Sequence, residues 1–206
     1  MGLNEFSVNP EYQIRRARIE DARDIASLVA ISSDGVAVIE WQQQAEQEGC
    51  AALNIGERTY RSSTGNYSWR SATMVEKAGQ VCGMLLTFPM PDAEPRDTTQ
   101  RPGIDAGNVF APYMYLEEPN SWYICGVAVY PEHRGQGIGT QLMQLANQQA
   151  RQHGFDKLSL VAFEQNTGSV RLYQRLGYEV VDQAPVIPHP LIHYTGQTLL
   201  MVASVE

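Results

Sequence analysis

Val127-Ala128-Val129-Tyr130-Pro131-Glu132-His133-Arg134-Gly135-Gln136-Gly137-Ile138-Gly139-Thr140 is the stretch whose reading decides the fold. An apolar run of strand character enters a glycine-rich turn, and the turn opens a helix. The first amide N–H groups of a helix have no partner within it, and they sit at the positive end of its dipole. Glycine at 135, 137 and 139 lets such a backbone curl and approach a phosphate without a Cβ in the way. The segment therefore reads as a pyrophosphate cradle.

Rival glycine-rich motifs fail on spacing. A GxGxxG fingerprint starting at Gly135 needs its third glycine where Thr140 stands. That fold also wants its glycines in the first βα turn and an acid about 20 residues on, whereas this segment lies in the second half of the chain. The Gly-Lys-Ser/Thr of a P-loop is absent.

Working outward, residues 138–152 read as a helix with Ile138, Leu142, Leu145, Ala146 and Ala150 on one face, and Gly154 stops it. Residues 122–129 and 157–163 read as buried strands on either side of it, which makes a βαβ unit with parallel strands. A short helix over 167–176 ends at Gly177, and strands follow at 178–182 and 197–203. In the first half, residues 12–18 read as a strand. A helix follows from about Glu20, with its acidic first turn Glu20-Asp21. Residues 36–48 read as a second helix, with Asp34 as N-cap and Gly49 at its end. The polar stretch 54–66 reads as a loop, with some helix as the alternative. Residues 68–76 and 81–88 form a hairpin turning at Lys77-Ala78-Gly79-Gln80. From 89 to 120 the chain carries Pro89, Pro91, Pro95, Pro102, Pro112 and Pro119, and reads as an insertion over a functional site.

Length and composition suit one domain: 206 residues, 43% apolar and 18% charged. The formal net charge of -8 disfavours nucleic acid, whose binding needs clustered Lys and Arg. The one basic cluster, Arg15, Arg16 and Arg18, alternates with Ile14, Ala17 and Ile19 and reads as the solvated face of an edge strand. Cys50, Cys82 and Cys125 are scattered and odd in number, and the four histidines form no HExxH, so neither a disulfide framework nor a metal site is expected. That usage fits a reducing cytoplasm. No stretch reads as a signal peptide or a membrane span.

Arg134-x-x-Gly137-x-Gly139 behind a strand and Pro131 resembles the acyl-CoA pyrophosphate motif of the GNAT superfamily of N-acyltransferases. The likeness continues through Asn166, Leu172-Tyr173 and Gly177-Tyr178, and reappears at the N-terminus in Ile14-Arg15-x-Ala17-x-x-x-Asp21-Ala22. It is strong over 120–180, moderate over 12–50 and 68–88, and absent over 90–120. Ser169 stands where the family often has alanine.

The resemblance implies a single α/β domain. It would hold a central mixed sheet of about six to seven strands, with helices on both faces and a splayed parallel strand pair. Its parts would be 12–88, the insertion 89–120, an acyl-CoA core 121–182 and a C-terminal strand region 183–206. Acetyl-CoA is the implied cosubstrate. Backbone groups of Val127 and Val129 would meet its pantetheine; Arg134, Gly135, Gln136, Gly137, Ile138, Gly139 and Thr140 would meet its pyrophosphate. Asn166 and Tyr173 would face the cofactor, with Tyr173 as the acid that protonates the departing thiolate. The structural alternatives are an N-cap for Asn166 and a core aromatic for Tyr173.

The family often places a glutamate on the strand before the loop, and residues 122–129 contain no acid. Glu118, beside Glu117, is the nearest candidate base, with His189 and His193 as alternatives. The expected activity is transfer of acetyl to an amine; the alternative is a non-catalytic acyl-CoA sensor. The expected partners are acetyl-CoA and an amine acceptor, with a homodimer left open. The acceptor itself is not written in the sequence.

Overall fold

The computed structural model describes residues 11–92 and 107–205. The part of the insertion at 93–106, with Pro95, Pro102 and Gly103, lies outside the described residues, as do the first ten residues and Glu206. Seven strands form one sheet in the order β1-β2-β3-β4-β5-β7-β6. They are β1 Gln13–Arg16, β2 Ala72–Lys77, β3 Gln80–Pro89, β4 Trp122–Val129, β5 Lys157–Phe163, β6 Glu179–Pro185 and β7 Gln197–Ser204. The helices are α1 Ala22–Ser32, α2 Val36–Glu48, α3 Ala52–Tyr60, α4 Ala111–Tyr115, α5 Ile138–Gln152 and α6 Thr167–Arg175. The chain divides into two compact units, Met1–Phe88 with Cys125–Ala146 and Pro89–Ile124 with Asn147–Glu206.

In the first unit β1, β2 and β3 form an antiparallel meander, with Ile14 opposite Val75 and Met74 opposite Met84. Ala78 and Gly79 both take left-handed φ, 50° and 79°. Lys77 pairs with Gln80 around them. Two left-handed residues match the right-handed twist of the flanking strands, which is why a two-residue hairpin loop favours this turn. Ile25, Leu28, Met74, Met84 and Leu86 are fully enclosed in the core of this unit.

Two expectations in this unit are corrected. Helix α2 begins from Gly35, at φ 92°, rather than from an Asp34 cap; Asp34 stands one residue before the cap position, with φ 47°. The stretch from 54, read first as a loop with some helix as the alternative, takes the helical alternative and holds most of helix α3, which buries Ile55, Gly56 and Tyr60. Gly56 is the residue that misleads, because glycine lowers helix propensity. A Cβ there would stand 2.7 Å from the Trp41 ring, so the indole lies flat on the helix backbone and packing overrides propensity. Tyr60 meets the same indole edge-on, ring centroids 6.4 Å apart.

Arg15 is more than a solvated arginine. Its guanidinium donates to both carboxylate oxygens of Asp21, at 2.7 and 2.9 Å, and to Glu76 at 2.6 Å. The edge strand is thereby tied to the start of α1 and to β2.

In the second unit β4 and β5 are parallel, with Trp122 opposite Leu158 and Ile124 opposite Leu160. Strand β7 lies antiparallel between β5 and β6. Val161, Leu200, Val202 and Ala184 share a cluster that Leu116 covers. Helix α4 precedes Leu116, so the described end of the proline-rich insertion is ordered: Asn108 accepts from the Phe110 and Ala111 amides at 3.0 Å, and Pro112 falls in the first turn, where its missing N–H costs nothing. At the start of the parallel pair the fully buried hydroxyls of Ser121 and Ser159 are 2.6 Å apart, and Ser121 donates on to the Glu118 carbonyl.

Candidate active site

The loop after β4 is built by local bonds in the first unit. The Tyr130 amide donates to the Cys82 carbonyl at 2.9 Å, and its phenol donates to Asp24 at 3.2 Å. Pro131–His133 make a 3-10 turn. The Tyr12 hydroxyl meets His133 Nδ1 at 3.3 Å, and the two rings pack edge to face. Arg134 Nε then donates back to the Val129 carbonyl at 3.0 Å.

Gly135 and Gly137 have φ 74° and 79°, and a Cβ added at either would meet nothing within 4 Å. Their glycine identity is demanded by backbone conformation, and the space above them is open. The Gln141 amide donates to the Gly137 carbonyl, which starts the α5 ladder. The amides just before it have no ladder partner and are aligned with the dipole. Arg134, Gly135, Gln136 and Gly137 are exposed, while Ile138 is buried and anchors the helix start. An open cradle of amides beside an arginine fits a pyrophosphate.

A groove of about 450 Å³ flanks the approach to this loop, lined in part by Arg15, Asp21, Asp24, Tyr130 and His133. Those polar groups already bond one another or Tyr12.

The remaining sequence-derived residues lie in the second unit. The Asn166 amide donates to the Phe163 carbonyl at 3.0 Å, and its side chain accepts from the Ser169 amide at 3.3 Å, so Asn166 caps α6. Tyr173 is 8% exposed. Burial pushes its phenol from the ordinary 10.0 up to about 12, against the opposing hydrogen bond of the Ser169 side chain. Serine at 169 thus has a use that alanine could not serve. The Tyr178 ring lies 6.0 Å from that of Tyr173, and burial raises its phenol as well.

Glu118, the expected base, is joined to Lys157 at 2.5 Å. His189 builds a turn: its Nδ1 accepts from the Leu191 amide and its carbonyl from the Ile192 amide. His193 is exposed. Tyr113 stands in an aromatic run that reads as a pocket wall or a satellite core, but sequence reasoning missed its cluster with Phe163 and Tyr194, in which Phe163 lies 6.1 Å from Tyr113 and 5.1 Å from Tyr194 by ring centroid. Their separation along the chain hid it.

The sheet with its parallel β4–β5 pair is the fold of an acetyltransferase family. The model of the acetyltransferase (GNAT) family matches residues 36–178, and the chain belongs to that family, which uses acetyl-CoA as cosubstrate. An uncharacterized N-acetyltransferase, YobR, of Bacillus subtilis (strain 168) is 28% identical over 60 residues, which is 29% of this chain and 24% of that protein. The match therefore spans about a quarter of that relative's length. A crystal structure of an acetyltransferase covers 94% of this chain and 100% of its own, with TM-score 0.64 and 21% identity. The structure of yncA, a putative acetyltransferase from Salmonella typhimurium with its cofactor acetyl-CoA, covers 95% of both chains, with TM-score 0.55 and 17% identity. At these identities the shared property is the fold.

Proposed function

We propose that this protein is an acetyl-CoA-dependent N-acetyltransferase that passes acetyl directly to an amine. The observation that carries this reading is the open loop with left-handed Gly135 and Gly137 at the start of α5. Acetyl-CoA supplies the acetyl group activated as a thioester. The amides of residues 134–140 and the Arg134 guanidinium hold its pyrophosphate, and backbone groups of Val127 and Val129 line its pantetheine. Asn166 and Tyr173 contact its other end. Holding amine and thioester together removes much of the entropic barrier to a two-body reaction. As the C–N bond forms and the C–S bond breaks, the Tyr173 hydroxyl donates to the departing sulfur; the proton shed by the acylated nitrogen passes to water, and the CoA thiolate leaves to be protonated from solvent.

A phenol with its pKa near 12 remains protonated at neutral pH, so the donor is always loaded. Full transfer to a thiolate is uphill from that value, so Tyr173 acts by hydrogen bonding to the charge that develops on the sulfur. The Glu118 carboxylate is committed to Lys157, and no step is assigned to it. A cytoplasmic setting belongs to the same reading, in keeping with three free cysteines.

The test is release of free CoA thiol from acetyl-CoA on adding members of an amine library. Thiol release that requires an amine supports the reading. Tight acetyl-CoA binding with no thiol released by any amine overturns it in favour of a sensor.

A further inference from the structure

We infer that the second unit carries the acceptor site at the C-terminal end of β5, and that it takes a diamine or polyamine, one nitrogen held as a cation while another reacts. This rests on the acetyl-transfer reading for its purpose; the binding stands on its own.

Three observations place it. Tyr113 of α4, Phe163 of β5 and Tyr194 of the β6–β7 connection bring three rings together, with Phe163 in the middle. Interplanar angles of 76° and 38° make these non-parallel walls rather than a stack. Phe163 is covered, while Tyr113 and Tyr194 are half-exposed and offer ring surface to a ligand. The Phe163 carbonyl also accepts from the Asn166 amide, so the cluster sits one turn before the helix that carries Tyr173.

The second observation is Thr198. It lies directly opposite Phe163 on one side and Ala184 on the other, so the three side chains share one face of the sheet. Thr198 is 0% exposed, and its hydroxyl has no hydrogen-bond partner among the described residues. Buried hydroxyls are nearly always paired, because an unmade bond there is a net cost. An ammonium seated on the part-exposed faces of Tyr113 and Tyr194 would be the donor that this oxygen lacks.

The third is the rigidity of the wall. Gln165 bonds Thr195 three times, Nε2 donating to Oγ1 at 3.0 Å and Oε1 accepting from the amide at 3.1 Å and from Oγ1 at 3.4 Å, which pins the connection beside Tyr194 to the end of β5. The Glu164 carboxylate lies along the same connection, 3.4 Å from where a Cβ on Gly196 would stand.

Aromatic faces attract cations through the ring quadrupole, and a chain of net charge -8 adds a favourable field. The nitrogen that attacks the thioester must carry a free lone pair, so the nitrogen held as a cation has to be a second one. That requirement selects an acceptor with two amino groups over a simple monoamine.

The experiment is calorimetric titration of 1,4-diaminobutane, spermidine and 1-aminobutane into the full chain saturated with CoA. We expect both polyamines to bind at least about tenfold more tightly than 1-aminobutane, the size of a desolvated cation–π contact. Tyr194→Leu keeps the apolar bulk and should erase that preference, while Tyr194→Phe should retain it. Thr198→Val should weaken the diamines and raise Tm, since it removes an unpaired buried hydroxyl. Equal affinity for mono- and diamines in the wild type, or an undiminished preference in a folded Tyr194→Leu protein, overturns the site. Diamine binding lost in Tyr194→Leu but with no thiol released from acetyl-CoA keeps this site and sinks acetyl transfer instead.

Discussion

Arg134 Nε donates to the carbonyl of Val129, five residues earlier, at 3.0 Å, and so closes the turn that leads from strand to helix. A guanidinium can do this with one nitrogen while its remaining donors face outward, which an ammonium on a flexible stem does less well. Arg134→Lys therefore keeps the charge and loses the tether. Acetyl-CoA affinity should fall about tenfold, the worth of a charge-assisted hydrogen bond, with Tm almost unchanged. Calorimetry on the two proteins checks it; equal affinity would reduce Arg134 to a point charge.

Gly137→Ala separates backbone strain from packing. The added methyl meets nothing, so the cost comes only from an L-residue at φ 79°, roughly 1–2 kcal/mol, or a few degrees of Tm. The same methyl would occupy the space above the cradle. CoA binding should drop far more than stability does, and a normal affinity in the folded variant would move the pyrophosphate elsewhere.

Tyr173→Phe should lower kcat by about 10–100-fold, near the low end for acid–base assistance, because thiolate is already a fair leaving group. Acetyl-CoA affinity should hold, and Tm should change little because the ring packing is kept. Since burial holds the phenol near 12, the wild-type kcat profile should show no alkaline loss from Tyr173 below about pH 10. Wild-type kcat in the phenylalanine variant, with a substrate whose chemistry is limiting, would leave Tyr173 as a core aromatic.

Stability should fall at alkaline pH ahead of ordinary surface titration. Burial raises the Cys125 thiol from 9.0 to about 12, and burial followed by Asp24 raises the Tyr130 phenol from 10.0 to about 12. Tyr173 is raised likewise, and Tyr60 and Tyr178 further still. Above their ordinary values the unfolded chain releases these protons while the folded chain keeps them, so unfolding is favoured. The stabilisation is whole below about pH 9 and lost as pH climbs toward 12. At the acid end, burial of Asp21 is outweighed by Arg15 and the Arg18 amide, which hold its carboxyl below 3.8. That contribution is present above 3.8 and disappears as pH falls through the lowered value. Thermal melts across the pH range, with Cys125→Ser and Asp21→Asn beside the wild type, test both limbs; a flat Tm from neutral to about pH 10.5 contradicts the alkaline one.

What the sequence determined by itself was local, though not every local detail, since the Asp34 cap gave way to Gly35. Helices α2 and α5 and strands β4 and β5 lie where apolar spacing places them, because a 3.6-residue or 2-residue period and a glycine stop are properties of neighbouring residues. The strand, the glycine turn and the helix start of the proposed cradle were legible for the same reason: they are contiguous. Asn166 as a cap was also readable, its bond reaching only to Ser169. Tertiary structure decided what depends on residues far apart in the chain. Gly56 became helical because Trp41 lies on it; Arg15 became a structural ion because Glu76 stands 61 residues away; and Glu118 was joined to Lys157 across 39 residues. The ring cluster needed β7 to slot between β5 and β6, which brought Thr198 opposite Phe163 and the Tyr194 connection against it. Strand pairing is a choice among distant partners made by burial and hydrogen bonding together, and no window of sequence contains it.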